Sequence, residues 1–462
     1  MALIKSISGF RGTIGGAVGD NLTPIDLVKF TAAFTSFIKE KQAHGQELTI
    51  VVGRDARISG AMCAQIVEGT LLASGANVIN IGLATTPTVE LAVTTNKASG
   101  GIILTASHNP KQWNALKLLN QNGEFLNAKE GARVLEIAAD ESFTFVDIDS
   151  IGKVISRANF DQQHIDMVLS LKEVDQAAIS KRKFKVVLDA VNSVGGIVMP
   201  VLLRALGCQV VELNCTPDGC FAHNPEPLPE HLTEISARVV AEKADLGVVV
   251  DPDVDRLALI CADGTMFGEE YTLVAVADYI LGMEGGNTCS NLSSSRALAD
   301  IAARHGGSYS PAAVGEVNVV AKMKETGAVI GGEGNGGIIF GALHYGRDAL
   351  VGVALFLTYL ARTGMTAKEL RATLPNYFMS KNKIQLTEKV NVDDILAKMA
   401  QKYKDEKVTT IDGVKIDFAD GWVHLRKSNT EPIIRIYSEG PSALRAQELA
   451  QMIITQIEAL TA

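Results

Sequence analysis

Four short stretches of this chain hold residue types whose spacing can do chemistry. The densest is Asp251-Pro252-Asp253-Val254-Asp255-Arg256. Three carboxylates at alternate positions on one turn can point at one hard cation. So close a group is costly to leave unpaired. An EF-hand does not fit, because Arg256 stands where that loop needs glycine and Ala262 where it needs glutamate. Few ligands and open positions suit Mg²⁺ bound partly through a phosphate oxygen, with Arg256 beside it to hold the phosphate. The plain alternative is a surface acidic turn. The apolar run Leu246–Val250 that feeds the turn argues against it, since it aims the turn at a sheet end.

The second stretch is Thr105-Ala106-Ser107-His108-Asn109-Pro110, after the glycine-bounded run 101–104. Ser107 is placed to act as a nucleophile or phosphate carrier. His108 could donate to an oxyanion, and Lys117 could reach the same space as a base. Taken alone, the stretch reads more simply as a serine/threonine turn entering an Asn-Pro loop. No G-x-S-x-G elbow is present, so a hydrolase triad is not supported. The third stretch is Gly331-Gly332-Glu333-Gly334-Asn335-Gly336-Gly337. Its glycines let backbone approach a ligand closely, and a carboxylate with an amide suits sugar hydroxyls. A flexible loop is the other reading. The fourth is Arg426-Lys427-Ser428-Asn429-Thr430-Glu431-Pro432, with Arg435 in the strand beyond. Two arginines, hydroxyls, an amide and turn N–H groups make an anion nest. Arg11-Gly12 and Gly53-Arg54-Asp55-Ala56-Arg57 are smaller signals, the latter read mainly as structural ion pairing.

Strands must carry these loops. Short continuous apolar runs at 49–52, 101–104, 185–188 and Leu246–Val250 suit strands buried on both faces. Helical periodicity lies between them, which predicts an α/β fold with largely parallel sheets. A unit of strand, helix, glycine cap and strand recurs over 48–81, 184–213 and 289–309, with caps at Gly75, Gly207 and Gly306. From 379 onward the pattern is α+β, with helices at 392–404 and 442–460. Four domains are expected, at 1–152, 153–262, 263–376 and 377–462.

Composition narrows the function further. The 462 residues are 47% hydrophobic, too apolar for disorder. Lys and Arg total 43 against 52 Asp and Glu, a net charge of −9. That gives no general reason to bind nucleic acid or an anionic membrane. No run approaches the roughly 18–20 apolar residues of a membrane span. The N-terminus lacks a signal-peptide pattern. Six scattered cysteines argue against a disulfide framework, and the gaps between Cys208, Cys215 and Cys220 do not fit a zinc pattern. The cytoplasm is the expected compartment.

Taken together and in order, the four stretches resemble the α-D-phosphohexomutase superfamily, which includes phosphoglucomutase, phosphomannomutase and phosphoglucosamine mutase. The resemblance covers essentially the whole chain, one loop per domain. It implies three related α/β/α domains with mixed, largely parallel sheets and a C-terminal α+β domain, set around a central cleft. It implies an isomerase that interconverts hexose 1-phosphate and hexose 6-phosphate through a phosphoserine and a hexose 1,6-bisphosphate. Ser107 matches the phosphoserine. Asp251, Asp253 and Asp255 match the Mg²⁺ ligands, with an oxygen on Ser107 completing the set. Lys117 matches a proposed general base, and His108, Arg256 and Arg11 match residues lining the reacting centre. Glu333 matches the sugar-hydroxyl reader, with Asn335 close by. Arg426, Ser428, Asn429, Thr430 and Arg435 match the grip on the non-reacting phosphate.

The chain departs from that pattern in two places. Many members have Phe-Gly-Thr ahead of the N-terminal Arg-Gly, where this chain has Ser6-Ile7-Ser8-Gly9-Phe10. Many have Ser, then His, in the sugar loop, where Asn335 and Gly337 stand. The reaction class is untouched, but glucosamine, glucose and mannose phosphates all remain open. The resemblance also implies a small-molecule partner, a monomer or homodimer, and a hinging C-terminal domain. Two competing classes are a haloacid-dehalogenase-type phosphatase, with Asp251 as nucleophile and Asp253 as acid, and a non-catalytic sugar-phosphate sensor.

Overall fold

The apolar runs become strands buried along most or all of their length. Gly100–Leu104, Leu246–Val250 and Leu257–Cys261 have no exposed residue. The computed structural model describes residues 3–6, 9–43, 46–385, 391–427 and 433–461. The chain packs as two units. One holds residues 1–272 and 335–369, the other 273–334 and 370–462. The third predicted segment is thus divided between them.

The first unit contains a seven-stranded mixed sheet. Its order is Ile4–Ser6, Gly9–Thr13, Trp113–Leu119, Gly100–Leu104, Thr49–Arg54, Asn77–Leu83, Val154–Ser156. The last four strands run parallel and the rest pair antiparallel. A second sheet orders Leu257–Cys261, Leu246–Val250, Lys185–Asp189 and Gln209–Leu213, antiparallel only at its first pair. The antiparallel pairings of Gly100–Leu104 with Trp113–Leu119 and of Leu246–Val250 with Leu257–Cys261 matter for chemistry. They return the chain directly beside the strand that carries each loop, so Trp113–Leu119 brings Lys117 back toward the serine loop. Gly9 pairs with Lys117, and a Cβ on Gly9 would lie 2.0 Å from the Leu116 carbonyl oxygen. Its φ of +142° is also poor for other residues.

Two helix starts in this unit reappear at the site. Thr86–Thr95 begins at Thr85, whose side chain accepts from the Thr88 N–H, and Pro87 sits where a missing N–H is harmless. Ala349–Thr363 begins at Asp348, whose side chain accepts from the N–H groups of Leu350 and Val351. It is apolar nearly all round and buried over most of its length.

In the second unit, Asn287–Asn291 pairs in parallel with both Tyr309–Ala312 and Ala328–Glu333. The C-terminal sheet is wholly antiparallel, in the order Phe378–Gln385, Ile433–Gly440, Gly421–Lys427, Val414–Phe418, Lys407–Thr409. Alternation splits its faces. Val414, Ile416, Val423, Leu425, Ile434 and Ile436 pack with residues of the helices Val392–Lys402 and Ala443–Thr461. The opposite face is polar yet buried, and it is stitched to the loop after Asn287–Asn291. Lys415 Nζ donates to the Leu292 carbonyl at 3.0 Å and lies 4.2 Å from the Trp422 ring centre. Glu439 Oε1 accepts from the Arg296 N–H at 3.0 Å and from Trp422 Nε1 at 2.7 Å. His424 meets Ser293 Oγ through Nδ1 at 3.0 Å and the Asp412 carbonyl through Nε2 at 2.7 Å.

That placement makes His424 a proton-sensitive joint. Its Nε2 can only donate to a carbonyl, so the neutral ring takes Ser293's hydroxyl at Nδ1. Burial pushes its pKa down to about 4. The unfolded chain therefore takes up this proton first. The contribution is complete above about pH 6.5 and is lost as pH falls toward the folded value. Unfolding by urea should show His424→Gln losing about 3 kcal/mol less than wild type between about pH 7 and about pH 4. Parallel losses in both proteins would remove His424 from this account.

Candidate active site

The serine loop is built on a buried arginine. Arg57 Nη2 donates to the carbonyls of Ser107 and Asn109 at 2.5 and 2.6 Å. Its Nη1 donates to those of Pro110 and Trp113 at 2.8 and 3.0 Å. Its Nε meets Asp55 Oδ2 at 3.0 Å, and that oxygen also accepts from Thr105 Oγ1 at 2.6 Å. A planar five-donor fork suits this task in a way that an ammonium does not. The loop so gathered holds Ser107 at φ +48°, uncommon for a non-glycine residue. Its hydroxyl donates to Asp251 Oδ2 at 2.7 Å.

The three aspartates follow Leu246–Val250 and are wholly buried. One oxygen from each lies within 4.8 Å of the others. Val254 between them has φ +63°, a strained conformation for a β-branched side chain. Two helix starts grip this turn from outside. The Thr86 N–H donates to the Asp253 carbonyl at 2.9 Å, and the Ala349 N–H to the Val254 carbonyl at 3.2 Å. The positive ends of both helices thus face an acidic loop.

Counting oxygens shows what the cage can take. Asp251 Oδ1 accepts from the N–H groups of Asp255 and Arg256, leaving Oδ2 to Ser107. Asp253 Oδ2 accepts from Lys117 Nζ and Thr86 Oγ1, both at 2.7 Å. Asp255 Oδ2 accepts from Arg347 Nη2 at 2.6 Å. Asp253 Oδ1 and Asp255 Oδ1 are buried with no hydrogen-bond partner. Each carboxylate is therefore anchored by one oxygen and keeps the other for the centre, and these residues fit a hard cation held by oxygens.

Charge tells the same story. Burial, then Asp255 and Asp253, push the Asp251 carboxyl well above its usual range. Burial works the same way on Asp253, but Lys117 and Thr86 outweigh it and hold that carboxyl below the usual range. At Lys117 burial opposes the charge, and Asp253 and Asp255 overcome it, so its pKa is raised. Lys117 thus stands as an ammonium rather than as a ready base. His108 is the reverse. Burial, then Arg256 and Arg11, push it down to about 2, so the ring is neutral, with Nδ1 3.4 Å from Ser107 Oγ. Arg11 Nη1 donates to Asn109 Oδ1 at 2.8 Å. Arg256 Nε is buried without a hydrogen-bond partner, 4.0 Å from Asp255 Oδ1.

The structure thus gathers Ser107, His108, Lys117, Arg11, Arg256 and the three aspartates in the first unit. Asn335 lies in that unit too, with Oδ1 turned onto the Gly337 N–H at 3.2 Å. Glu333 belongs to the second unit, where Oε1 accepts from Asn291 Nδ2 at 2.8 Å and the Gly315 N–H at 3.0 Å. Arg426 and Arg435 sit directly opposite each other on neighbouring strands of that unit. Like charges so placed repel unless an anion joins them. Asp412, 2.8 Å from Arg426 Nε, answers one of the two. Ser428, Asn429 and Thr430 lie outside the described residues. Sequence reading missed Thr86 and Arg347 at the aspartates and treated Arg57 as scaffold only. No local sequence signal marks Arg347, which lies 92 residues from Asp255.

Comparison with known proteins completes the picture. Phosphoglucomutase/phosphomannomutase alpha/beta/alpha domains I, II and III match residues 4–145, 162–264 and 268–378, and the C-terminal domain of that family matches 383–456. A phosphoglucomutase/phosphomannomutase of Thermococcus kodakarensis is 38% identical over 454 residues, covering 97% of this chain and 98% of that one. A phosphoglucosamine/phosphogalactosamine mutase of Sulfurisphaera tokodaii is 33% identical over 456 residues, covering 97% and 98%. The crystal structure of a phosphoglucomutase/phosphomannomutase family protein from Burkholderia thailandensis superposes with a TM-score of 0.84 at 27% identity, over 99% of this chain and 98% of that one. The chain belongs to the phosphoglucomutase/phosphomannomutase family, within the α-D-phosphohexomutase superfamily. It is an enzyme of the phosphohexomutase class, an isomerase that shifts a phosphoryl group within a hexose phosphate. The comparisons lend nothing to the phosphatase or sensor readings. Among the described residues, no single helix is long and apolar enough to cross a membrane.

Arg57 offers a direct test of how the serine loop is held. Arg57→Met removes the cation from Asp55 and the guanidinium from four loop carbonyls, and breaking a buried pair costs about 3–5 kcal/mol. Denaturant unfolding should show a loss of that order, with turnover falling much further than substrate affinity. A variant as stable and as active as wild type would mean the loop keeps its shape by other means.

Proposed function

We propose that Ser107 is the phosphoryl carrier, with Asp251, Asp253 and Asp255 as ligands of a Mg²⁺ ion and Lys117, His108, Arg11 and Arg256 around the reacting atoms. One observation carries this reading. The Ser107 hydroxyl lies 2.7 Å from Asp251 in a buried cage where Asp253 and Asp255 each keep an unpartnered oxygen. Mg²⁺, when bound, would neutralise charge on the transferring group.

The remaining steps belong to the protein's own side chains. Phosphorylated Ser107 meets the free hydroxyl of a hexose 1- or 6-phosphate. The bond from phosphorus to the serine oxygen breaks as the bond to the sugar oxygen forms, giving a hexose 1,6-bisphosphate. The sugar hydroxyl gives up its proton and the serine oxygen takes one up, which leaves serine as the hydroxyl that donates to Asp251. The bisphosphate turns round, and its other phosphate returns to Ser107. Lys117, held as an ammonium, supports negative charge on the transferring group. It can act as a base only when Asp253 and Asp255 are engaged elsewhere. Arg256, with a buried unpartnered Nε, is the natural donor to the phosphoryl oxygens.

Arg426 and Arg435, together with Ser428, Asn429 and Thr430, would hold the phosphate that is not reacting. Glu333 and Asn335 would read the sugar. Substrates are hexose and hexosamine phosphates, with glucose, mannose and glucosamine as the candidates, and the relatives' names cover these three and galactosamine besides. The domains divide as 1–152, 153–262, 263–376 and 377–462, each contributing one loop. A sparse, scattered set of cysteines suits a cytoplasmic enzyme.

Two substitutions test the assignments. Assayed on the 1-phosphates of glucose, mannose and glucosamine, each primed with bisphosphate, wild type should interconvert at least one. Ser107→Ala should lose about 1,000-fold or more in turnover. Wild-type rates in that variant would end the carrier role. Arg426→Gln should raise KM about 10-fold or more while Ser107 remains phosphorylatable by bisphosphate. An unchanged KM would take the distal loop out of the scheme.

A further inference from the structure

Gly337 opens the strand Gly337–Phe340 and is buried. The space beside it is filled by a residue from further along the chain. A Cβ on Gly337 would lie 2.3 Å from Arg347 Cδ and 3.1 Å from its Cγ. Gly337 is not among the residues with positive φ. Its backbone would therefore accept alanine; the passing arginine stem is the main obstacle to a side chain, with Asn335 Oδ1 at 3.1 Å the lesser one. Beyond Gly337 the guanidinium reaches Asp255, with Nη2 2.6 Å from Oδ2. Both groups are buried.

Arg347 is itself fixed on a rigid base. Its backbone bridges Ile339, and the next residue's N–H donates to the Ile338 carbonyl at 2.8 Å. That residue, Asp348, caps Ala349–Thr363 through Oδ1, while Oδ2 lies 2.9 Å from His164 Nε2 and 3.3 Å from His344 Nε2. His164 Nδ1 in turn lies 3.0 Å from Thr88 Oγ1. Thr88 is on the same helix start as Thr86, which donates to Asp253. One continuous buried network therefore reaches two of the three carboxylates, through Thr86 at Asp253 and through Arg347 at Asp255.

We propose that Arg347 is a positioning residue of the phosphoryl-transfer site. It holds Asp255 Oδ2 so that Oδ1 alone is left for the cation, and Gly337 is the gap that admits it. The proposal rests on the reading that the aspartates bind a divalent cation. Partners that hydrogen-bond a metal ligand commonly change metal affinity or activity by 10–100-fold. The guanidinium's planar geometry makes lysine an incomplete substitute.

The test compares full-length wild type, Arg347→Met, Arg347→Lys, Gly337→Ala and the Gly337→Ala/Arg347→Met double variant. Mn²⁺ alone is the probe, with free ion followed by electron paramagnetic resonance. Turnover and KM are read separately at saturating Mg²⁺. Arg347→Met should weaken Mn²⁺ binding about 10-fold or more. It should lower kcat while leaving KM for the sugar phosphate within about two-fold. Arg347→Lys should recover only part of this. Gly337→Ala should reproduce the defect, and in the double variant it should add nothing, because the stem it obstructs is gone. Should Arg347→Met fold poorly, Gly337→Ala still decides the matter. Mn²⁺ binding by Arg347→Met or Gly337→Ala as tight as wild type, or additive losses in the double variant, would overturn the arginine's role. Absence of Mn²⁺ binding in wild type would overturn the cation reading and this proposal with it.

Discussion

Three ionisable carboxylates confined to one buried turn are the constraint that organises the first unit. Two charges about 4 Å apart repel by about 4 kcal/mol at an effective dielectric of about 20. The surrounding protein is arranged to meet that cost. Lys117 comes from the strand beside the serine loop, and Thr86 and Ala349 from two helix starts. Arg347 comes from the residues just ahead of the second of those helices. Ser107 itself donates to the third carboxylate. Each contributor lies on a different element, so the sheet order and the antiparallel returns are what make the cage possible. The strain at Val254 fits the same logic, since alternate residues of a tight turn can aim inward only if the residue between them gives way.

Much of this was legible from sequence because it is local. Apolar runs such as Leu246–Val250 announce a strand buried on both faces, and the aspartate turn at its end follows. The glycine caps at Gly75, Gly207 and Gly306 have positive φ, as expected of residues past a helix end. What could not be read was which distant side chain answers which charge. Thr86 is 167 residues from Asp253, and Arg347 is 92 from Asp255. Nothing in the composition of either neighbourhood marks the pairing. Arg57 illustrates a subtler gap. Its motif reads as ion pairing with Asp55, and that pair exists, but four carbonyls of the serine loop share the same guanidinium. Scaffold and site are one residue. Lys117 shows the opposite case, where the position was visible but its charge state depends on two carboxylates from another loop.

The C-terminal sheet qualifies the expectation that the last domain swings as a body by itself. Lys415, His424 and Glu439 are polar, buried, and bonded to residues 292–296. Moving the sheet off that loop would strip each of the three of one hydrogen-bond partner. Within the second unit, the sheet and the loop after Asn287–Asn291 are therefore bound to move together. Any hinge has to spare that seam.

The seam also gives the protein an optical property. Of its two tryptophans, Trp422 is sealed under the Lys415 ammonium with its indole N–H on Glu439. Trp113 is only half-buried, at the head of the strand that carries Lys117, with its carbonyl held by the same Arg57 that shapes the serine loop. One emitter therefore stands in each unit, one fully buried and one half-buried. Intrinsic fluorescence divides into a channel sensitive to the reacting end and a channel sensitive to the integrity of the distal sheet, and replacing either ring by phenylalanine isolates the other without an added dye.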